Sequence, residues 1–337
     1  MRNLDKFCGC LIGGAAGDAL GYAVEFLRES QIFSIYGKEG ITEYTLRNGI
    51  AEISDDTQMT LFTAEGLLLA KDSSDYTDSI RQMYKCWYKT QVGRYPLTDT
   101  EPHSRLLDIP DLFSMRAPGM TCLSAIADGA NGTVSNPVNN SKGCGGVMRV
   151  APIGLYFADT SVPFEVSDML GAEAAALTHG HDLGYIPAAA LVHIIRLVTE
   201  SDVPLKSAVN DSVKAMEKLF PKAAHISEFT AIMQKAVQLA ETDIDDFTAV
   251  HQLGEGWVAE ETLAIAAYCA MRYKNDFDMA LQTAVNHNGD SDSTGAVCGN
   301  ILGAYLGYNA VSEKYKTGLE LQNLIIKIAG DLYNAKI

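Results

Sequence analysis

The chain has 337 residues, 47% hydrophobic and 20% charged, with 26 Lys and Arg against 42 Asp and Glu, a formal net charge of -16. This composition fits a globular protein with a large core and excludes a disordered chain. The acidic balance opposes general attraction to nucleic-acid backbones, which needs clustered basic residues. Seven cysteines, scattered and never spaced C-x-x-C, argue against a zinc ribbon or a disulfide framework and point to a reducing, cytoplasmic setting.

Strand-like alternation is scarce, whereas Ala- and Leu-rich segments with a three-to-four-residue period recur, so the expected class is all-α. Composition does not shift along the chain, and one domain over residues 1–337 is the expected organisation. The first helix is read over Leu4 to Phe26. Its start superficially resembles an export signal, with Met1 to Lys6 ahead of the apolar Phe7 to Gly17, but Asp18 and Glu25 continue the same pattern and oppose that reading. Gly9, Gly13, Gly17 and Gly21 recur every fourth residue. Each glycine costs a helix roughly 1 kcal/mol against alanine, and close approach to a second helix is the usual return. Glu25 lies among apolar neighbours, either in a buried salt bridge or as a tuned carboxylate at a site.

Ser54-Asp55-Asp56-Thr57 leads into a helix over Thr57 to Lys71. Capping explains one or two of these residues. Ser79 to Thr90 is the next helix. Gln91 to Gly119 has no clear period and holds Pro96, Pro102, Pro110 and Pro118, which reads as a linker or, since composition is alike on both sides, as a long loop lining a site, with Asp99, Asp108 and Asp111 as unranked candidates for the group that moves the proton. After a helix over Thr121 to Gly129 comes Asn140-Ser141-Lys142-Gly143-Cys144-Gly145-Gly146-Val147-Met148-Arg149, which can form an amide nest for a phosphate or a plain turn. Helices Ala151 to Phe157 and Pro163 to Leu177 follow, and His179 stands at the end of the second, a common place for a dipole partner.

Helices are next expected over Tyr185 to Glu200, Leu205 to Leu219, Glu228 to Thr242, Val258 to Arg272 and Phe277 to Asn286. Gly289-Asp290-Ser291-Asp292-Ser293-Thr294-Gly295 then repeats the crowding of carboxylates and hydroxyls and opens a helix over Ser293 to Gly307. Gly295, Gly299, Gly303 and Gly307 form a second four-residue stripe. The uncharged run from Ser293 to Ser312 reaches membrane-spanning length, yet its glycines and Asn300 favour a close-packed internal helix. A last helix is read over Tyr315 to Asn334.

Crowded carboxylates repel one another unless a hard cation sits between them, so the two acidic clusters read as halves of one metal site. Four carboxylates and two hydroxyls suit a two-metal centre and select Mg²⁺, Mn²⁺ or Ca²⁺ over zinc. An EF-hand is excluded, because no Glu stands twelve residues into a loop containing Asp55 or Asp290.

Gly14 to Gly21 with Glu25, Ser54 to Leu61, Gly143 to Leu155, Leu177-Thr178-His179, Gly256-Trp257-Val258-Ala259-Glu260-Glu261 and Gly289 to Gly295 stand in the order seen in the ADP-ribosylglycohydrolases. The chain resembles that family, which includes dinitrogenase reductase-activating glycohydrolase, from about residue 7 to 308. The resemblance implies an all-α orthogonal helix bundle with a binuclear Mg²⁺ or Mn²⁺ centre, cleaving the bond between C1 of the distal ribose of ADP-ribose and an acceptor. It implies Ser54, Asp55, Asp56, Asp290, Asp292 and Ser293 as metal ligands, and Glu25, Asp55 and Asp56 as groups that position water or take its proton. Ser141, Lys142, Gly143, Cys144, Gly145, Gly146 and His179 would hold the diphosphate and ribose. One departure is Cys144, where the family usually has Asn between two glycines; Ser54 stands where Thr is frequent. The implied partner is an ADP-ribosylated protein or small molecule, with arginine the first acceptor because Ser54 to Leu61 resembles the nitrogenase-regulating branch. Serine, a nucleic-acid base, a small metabolite, or simple ADP-ribose binding are the alternatives.

Overall fold

A computed structural model describes residues 2–70 and 76–335, and every regular element among them is a helix, with only isolated β-bridges elsewhere. In chain order these are α1 (Leu4–Tyr22), α2 (Glu29–Tyr36), α3 (Asp55–Leu69), α4 (Tyr76–Val92), α5 (Met120–Ala127), α6 (Ala151–Phe157), α7 (Phe164–Ala176) and α8 (Asp182–Glu200). The second half holds α9 (Leu205–Leu219), α10 (Ile226–Leu239), α11 (Asp246–Leu253), α12 (Ala259–Arg272), α13 (Phe277–Val285), α14 (Ser291–Leu306), α15 (Glu313–Lys316) and α16 (Gln322–Asn334). The all-α expectation holds. The end expected for the third helix, Lys71, lies outside the described residues.

The pair α1 and α14 forms the centre, and the two glycine stripes are why it can. A Cβ placed on Gly13 would lie 2.3 Å from the carbonyl oxygen of Gly299, and one on Gly299 would lie 1.9 Å from that of Gly13. Gly17 meets Gly295 and Gly9 meets Gly303 in the same way, at 1.9 and 2.3 Å. Backbone therefore touches backbone along the whole seam, which only glycine permits. Asn300 fits the same logic: its Nδ2 donates to the Cys10 carbonyl at 2.8 Å and fills the notch over Gly14, where a Cβ would come within 2.0 Å of that nitrogen. Gly307 closes the seam: it ends α14 at φ +89, and its backbone carbon would lie 2.6 Å from a Cβ placed on Gly9.

Other differences from the sequence reading are local. The first helix stops at Tyr22, and Glu25 sits in the following turn, where Val24 and Leu27 donate back to Gly21 and Val24 at 2.8 Å each. Helices α2 and α11 were not expected; each has eight residues, too few to build a readable apolar period. The final helix is broken into α15 and α16 by Gly318 and Leu321, both with positive φ. That break lets the chain bridge Ala51, with Ala51 N to Gly318 O at 2.8 Å and Glu320 N to Ala51 O at 3.0 Å, and so steadies the segment leading to Ser54. Helix α8 is long and apolar enough to cross a membrane by composition, but 89% of that stretch is buried within the protein.

Between α7, α8 and α9, the carboxylate of buried Asp168 accepts from His193 Nδ1 (2.7 Å) and that of Asp211 from Nε2 (3.2 Å). Burial lowers the imidazole's pKa, but the hydrogen bond and charge of Asp168, joined by Asp211, overcome it and raise the pKa above 6.5. A base raised on folding stabilises fully below its unfolded pKa, and that contribution fades as pH climbs through the folded one. The melting-temperature gap between wild type and His193→Gln is expected to narrow steadily from pH 6 to pH 9; a constant or widening gap would contradict the assignment.

Candidate active site

Helix α3 starts at the acidic cluster because Ser54 caps it, its Oγ accepting from Asp56 N at 3.2 Å. The start is pinned to α1 by Asp18, wholly buried and one residue beyond Gly17, whose carboxylate accepts from Ser54 N (2.9 Å), Thr57 N (3.1 Å) and the Thr57 hydroxyl. Helix α14 begins the same way, with Asp290 accepting from Ser293 N at 3.2 Å. Capping thus uses Ser54 and Asp290 and leaves Asp55, Asp56 and Asp292 for something else.

The glycine seam brings the two helix starts together. Ser293 Oγ donates to Asp56 Oδ2 at 2.9 Å across 237 residues of chain. Glu25, carried over on the turn after α1, joins them: oxygens of Glu25, Asp290 and Asp292 lie within 4.8 Å of one another. These carboxylates floor a cavity of about 200 Å³. A larger hollow of about 460 Å³ between α11 and α13 is lined by Phe247, Val250, Met279 and His287 and lies apart from this cluster.

The electrostatics are those of an anionic trap. Burial, then the charges of Asp292, Asp290 and Asp55, push Glu25 up to about 10. Burial and Asp292 raise Asp18 to about 7 and hold Asp55 and Asp56 well above the carboxylate range; burial and Asp290 do the same to Asp292. Asp290 is raised by burial as well. No Lys or Arg among the described residues lines the cavity, and Glu25 Oε2 is buried without a hydrogen-bond partner. An all-oxygen set with an unused acceptor and no protein cation fits a hard divalent ion.

The glycine-rich segment forms one wall. Gly143, Cys144 and Gly145 line the cavity together with His179. A Cβ on Gly145 would approach Cys122 Sγ to 2.7 Å and His179 Cε1 to 3.0 Å, so the wall needs glycine there. Ser141, Lys142 and Gly146 brace it from outside: Ser141 Oγ meets Thr121 Oγ1 at 3.3 Å, the Lys142 amine is held by Glu260, and Gly146 abuts the Gly184 carbonyl. Cys144 lines the same cavity as Asp290. The loop also pairs with the start of α12, Cys144 N to Trp257 O (3.2 Å) and Ala259 N to Lys142 O (2.9 Å), which sets Trp257 at the mouth.

The proline-rich loop reaches the site through its end: Ala117 and Gly119 line the cavity, and Gly119 N donates to Asp55 Oδ2 at 3.4 Å. Asp99, Asp108 and Asp111 are exposed elsewhere and are not among the lining residues. Sequence reasoning missed Asp18 as the clamp on α3, Cys122 and Met120 in the wall, and the rim position of Trp257. Asp18 alone had a readable signal, an acid inside an otherwise glycine- and alanine-rich helix.

A family model described as ADP-ribosylglycohydrolase matches residues 1–337. The chain belongs to the ADP-ribosylglycohydrolase family. It is 24% identical to ADP-ribosylhydrolase ARH3 of Mus musculus, over 95% of this chain and 88% of the relative, and 24% identical to the ADP-ribosyl-[dinitrogen reductase] glycohydrolase of Rhodospirillum rubrum, over 94% and 91%. A solved structure titled ADP-ribosylglycohydrolase-related protein complex superposes with a TM-score of 0.63 at 25% identity, covering 98% of this chain and 97% of the other. The all-α architecture is therefore that of the ADP-ribosylglycohydrolases, and the protein is a hydrolase that removes ADP-ribose from an acceptor.

Proposed function

We propose that this ADP-ribosylglycohydrolase is a cytoplasmic, metal-dependent enzyme that releases ADP-ribose from arginine. The observation that carries the reading is the meeting of Glu25, Asp55, Asp56, Asp290 and Asp292 around one cavity that no cation among the described residues lines. Ser54, Asp55, Asp56, Asp290, Asp292 and Ser293 would hold two divalent ions, Mg²⁺ or Mn²⁺. Bound there, such ions supply Lewis acidity toward the ribose hydroxyls and water. With cations bound to offset the neighbouring carboxylates, Glu25 would be ionised and its Oε2 would take the proton of the water whose oxygen bonds to C1; as the bond from C1 to the acceptor breaks, the departing guanidine would take up that proton. Gly143 and Gly145 let the diphosphate approach the backbone, and His179 faces it. The seven cysteines are free, as the proposed compartment requires.

Arginine is favoured by the mouth. Phe26 and Trp257 stack with centroids 6.4 Å apart and planes at 24°, 71% and 41% exposed, and Trp257 lines the same cavity as the carboxylates. A flat guanidinium stacks on such faces while its charge is drawn to the carboxylates. ADP-ribosylated arginine and serine peptides, incubated with Mg²⁺ and with a chelator, provide the test. Release is expected from arginine, and only with metal; release from serine alone would reverse the acceptor, and release indifferent to chelator would break the metal assignment. Trp257→Ala should raise KM for the arginine peptide about 5-fold, from a cation–π contact of roughly 1 kcal/mol, with affinity for free ADP-ribose unchanged.

A further inference from the structure

Arg149 is wholly buried, and among the described residues no carboxylate pairs with it. Its guanidinium lies over the Tyr84 ring at 4.3 Å, with Nη1 toward Cys122 Sγ (3.3 Å) and Met59 Sδ (3.5 Å). Its Nη2 donates to the Ala174 carbonyl (3.1 Å) and to Thr178 Oγ1 (2.7 Å). A buried charge is costly, and here hydrogen bonds and the Tyr84 face offset that cost. The guanidinium's direction matters, because Thr178 Oγ1 is in turn 2.8 Å from Nδ1 of His179, which lines the cavity.

We infer that Thr178, held by Arg149, is a positioning residue that fixes the ring tautomer of His179, so that this imidazole offers an Nε2–H donor to the substrate. The proton count runs one way. Arg149 can only donate, so it occupies a lone pair of the Thr178 oxygen and leaves the single hydroxyl proton to find an acceptor. The Ala175 carbonyl stands off at 3.4 Å, and the near acceptor is His179 Nδ1. A charge-assisted bond into the oxygen also makes the hydroxyl a better donor. With Nδ1 accepting, the ring proton is on Nε2, which bonds to none of the described residues. Positions where Cβ atoms of residues 143 and 145 would sit lie 3.4 and 3.3 Å from Nε2, space that the two glycines leave for a ligand oxygen. Burial, aided by Arg149, pushes His179 down to about 3, so the ring stays neutral and its donor persists across physiological pH. A neutral donor suits a phosphate or ribose oxygen, and this half of the inference rests on the ADP-ribose reading above.

Long-range ¹H–¹⁵N spectra of protein labelled with [¹⁵N]histidine test it, with His179 assigned by loss of its signals in His179→Gln. The expected wild-type pattern is a single neutral ring, protonated at Nε2, unchanged from pH 5 to 8. Thr178→Val should give a mixture of tautomers and weaken ADP-ribose binding about 10-fold, and Thr178→Ser should restore both. A wild-type ring protonated at Nδ1 overturns the inference, even if neither variant folds, and so does a folded Thr178→Val with wild-type spectrum and affinity. Saturating ADP-ribose that moves no His179 signal overturns the ligand half and the functional reading beneath it, while the tautomer is judged on its own resonance.

Discussion

Asp292→Asn is expected to abolish tight divalent-cation binding and hydrolysis while leaving the fold intact. Asp292 is the charge felt by nearly every other acid of the site: Asp18, Glu25, Asp55 and Asp56 are all raised by it after burial. The amide keeps an oxygen for the Ser293 N–H, now accepted at 3.0 Å, and removes only the charge. Two opposite effects on stability follow. Without metal the variant should melt above wild type, because like charges no longer repel. With metal at about 100 times its Kd, wild type should gain roughly 2.7 kcal/mol, about 5 °C in Tm, and the variant nothing. Calorimetry showing wild-type Mg²⁺ affinity in the variant would contradict a site divided between α3 and α14.

The second large effect is expected at Gly299. Leucine there should prevent folding, and alanine should cost about 4 kcal/mol, above the roughly 1–3 kcal/mol usual for overpacking. The reason is what the added Cβ meets: a carbonyl oxygen at 1.9 Å and the Gly14 nitrogen at 3.0 Å, both in the backbone of α1, which no side-chain rotation relieves. Separating the helices would strip contacts from the entire seam. Gly330→Ala is the control, since a Cβ on that glycine meets nothing within 4 Å. Denaturant unfolding of the three proteins gives the comparison, and an unchanged midpoint for Gly299→Ala would refute the seam.

The seam and the meeting of the two acidic clusters were legible because they rest on repetition: a glycine every fourth residue, and carboxylates crowded beyond what two helix caps use. Less legible were features carried by single long-range contacts. Asp18 clamps α3 with three backbone or hydroxyl donors, and only the fold shows which ones. Lys142 looks like a phosphate ligand in a glycine loop, yet its amine is taken by Glu260, which no spacing announces. The short helices α2 and α11 hold few buried residues and so leave weak patterns. The break before α16 depends on Leu321 adopting a left-handed backbone, a conformation its side chain gives no hint of.

Where two helices meet through side chains, their separation drifts with every change of side-chain volume, by an ångström or more over the usual 8–10 Å range. Helices α1 and α14 meet instead through peptide groups, whose dimensions are covalent and identical in every protein. The seam therefore works as a gauge block. It sets how far Asp18 and the turn bearing Glu25 stand from Asp290 and Asp292 by a length that ordinary core substitutions leave alone. A chain built this way can change most of its interior and still hold its acidic floor to the same tolerance.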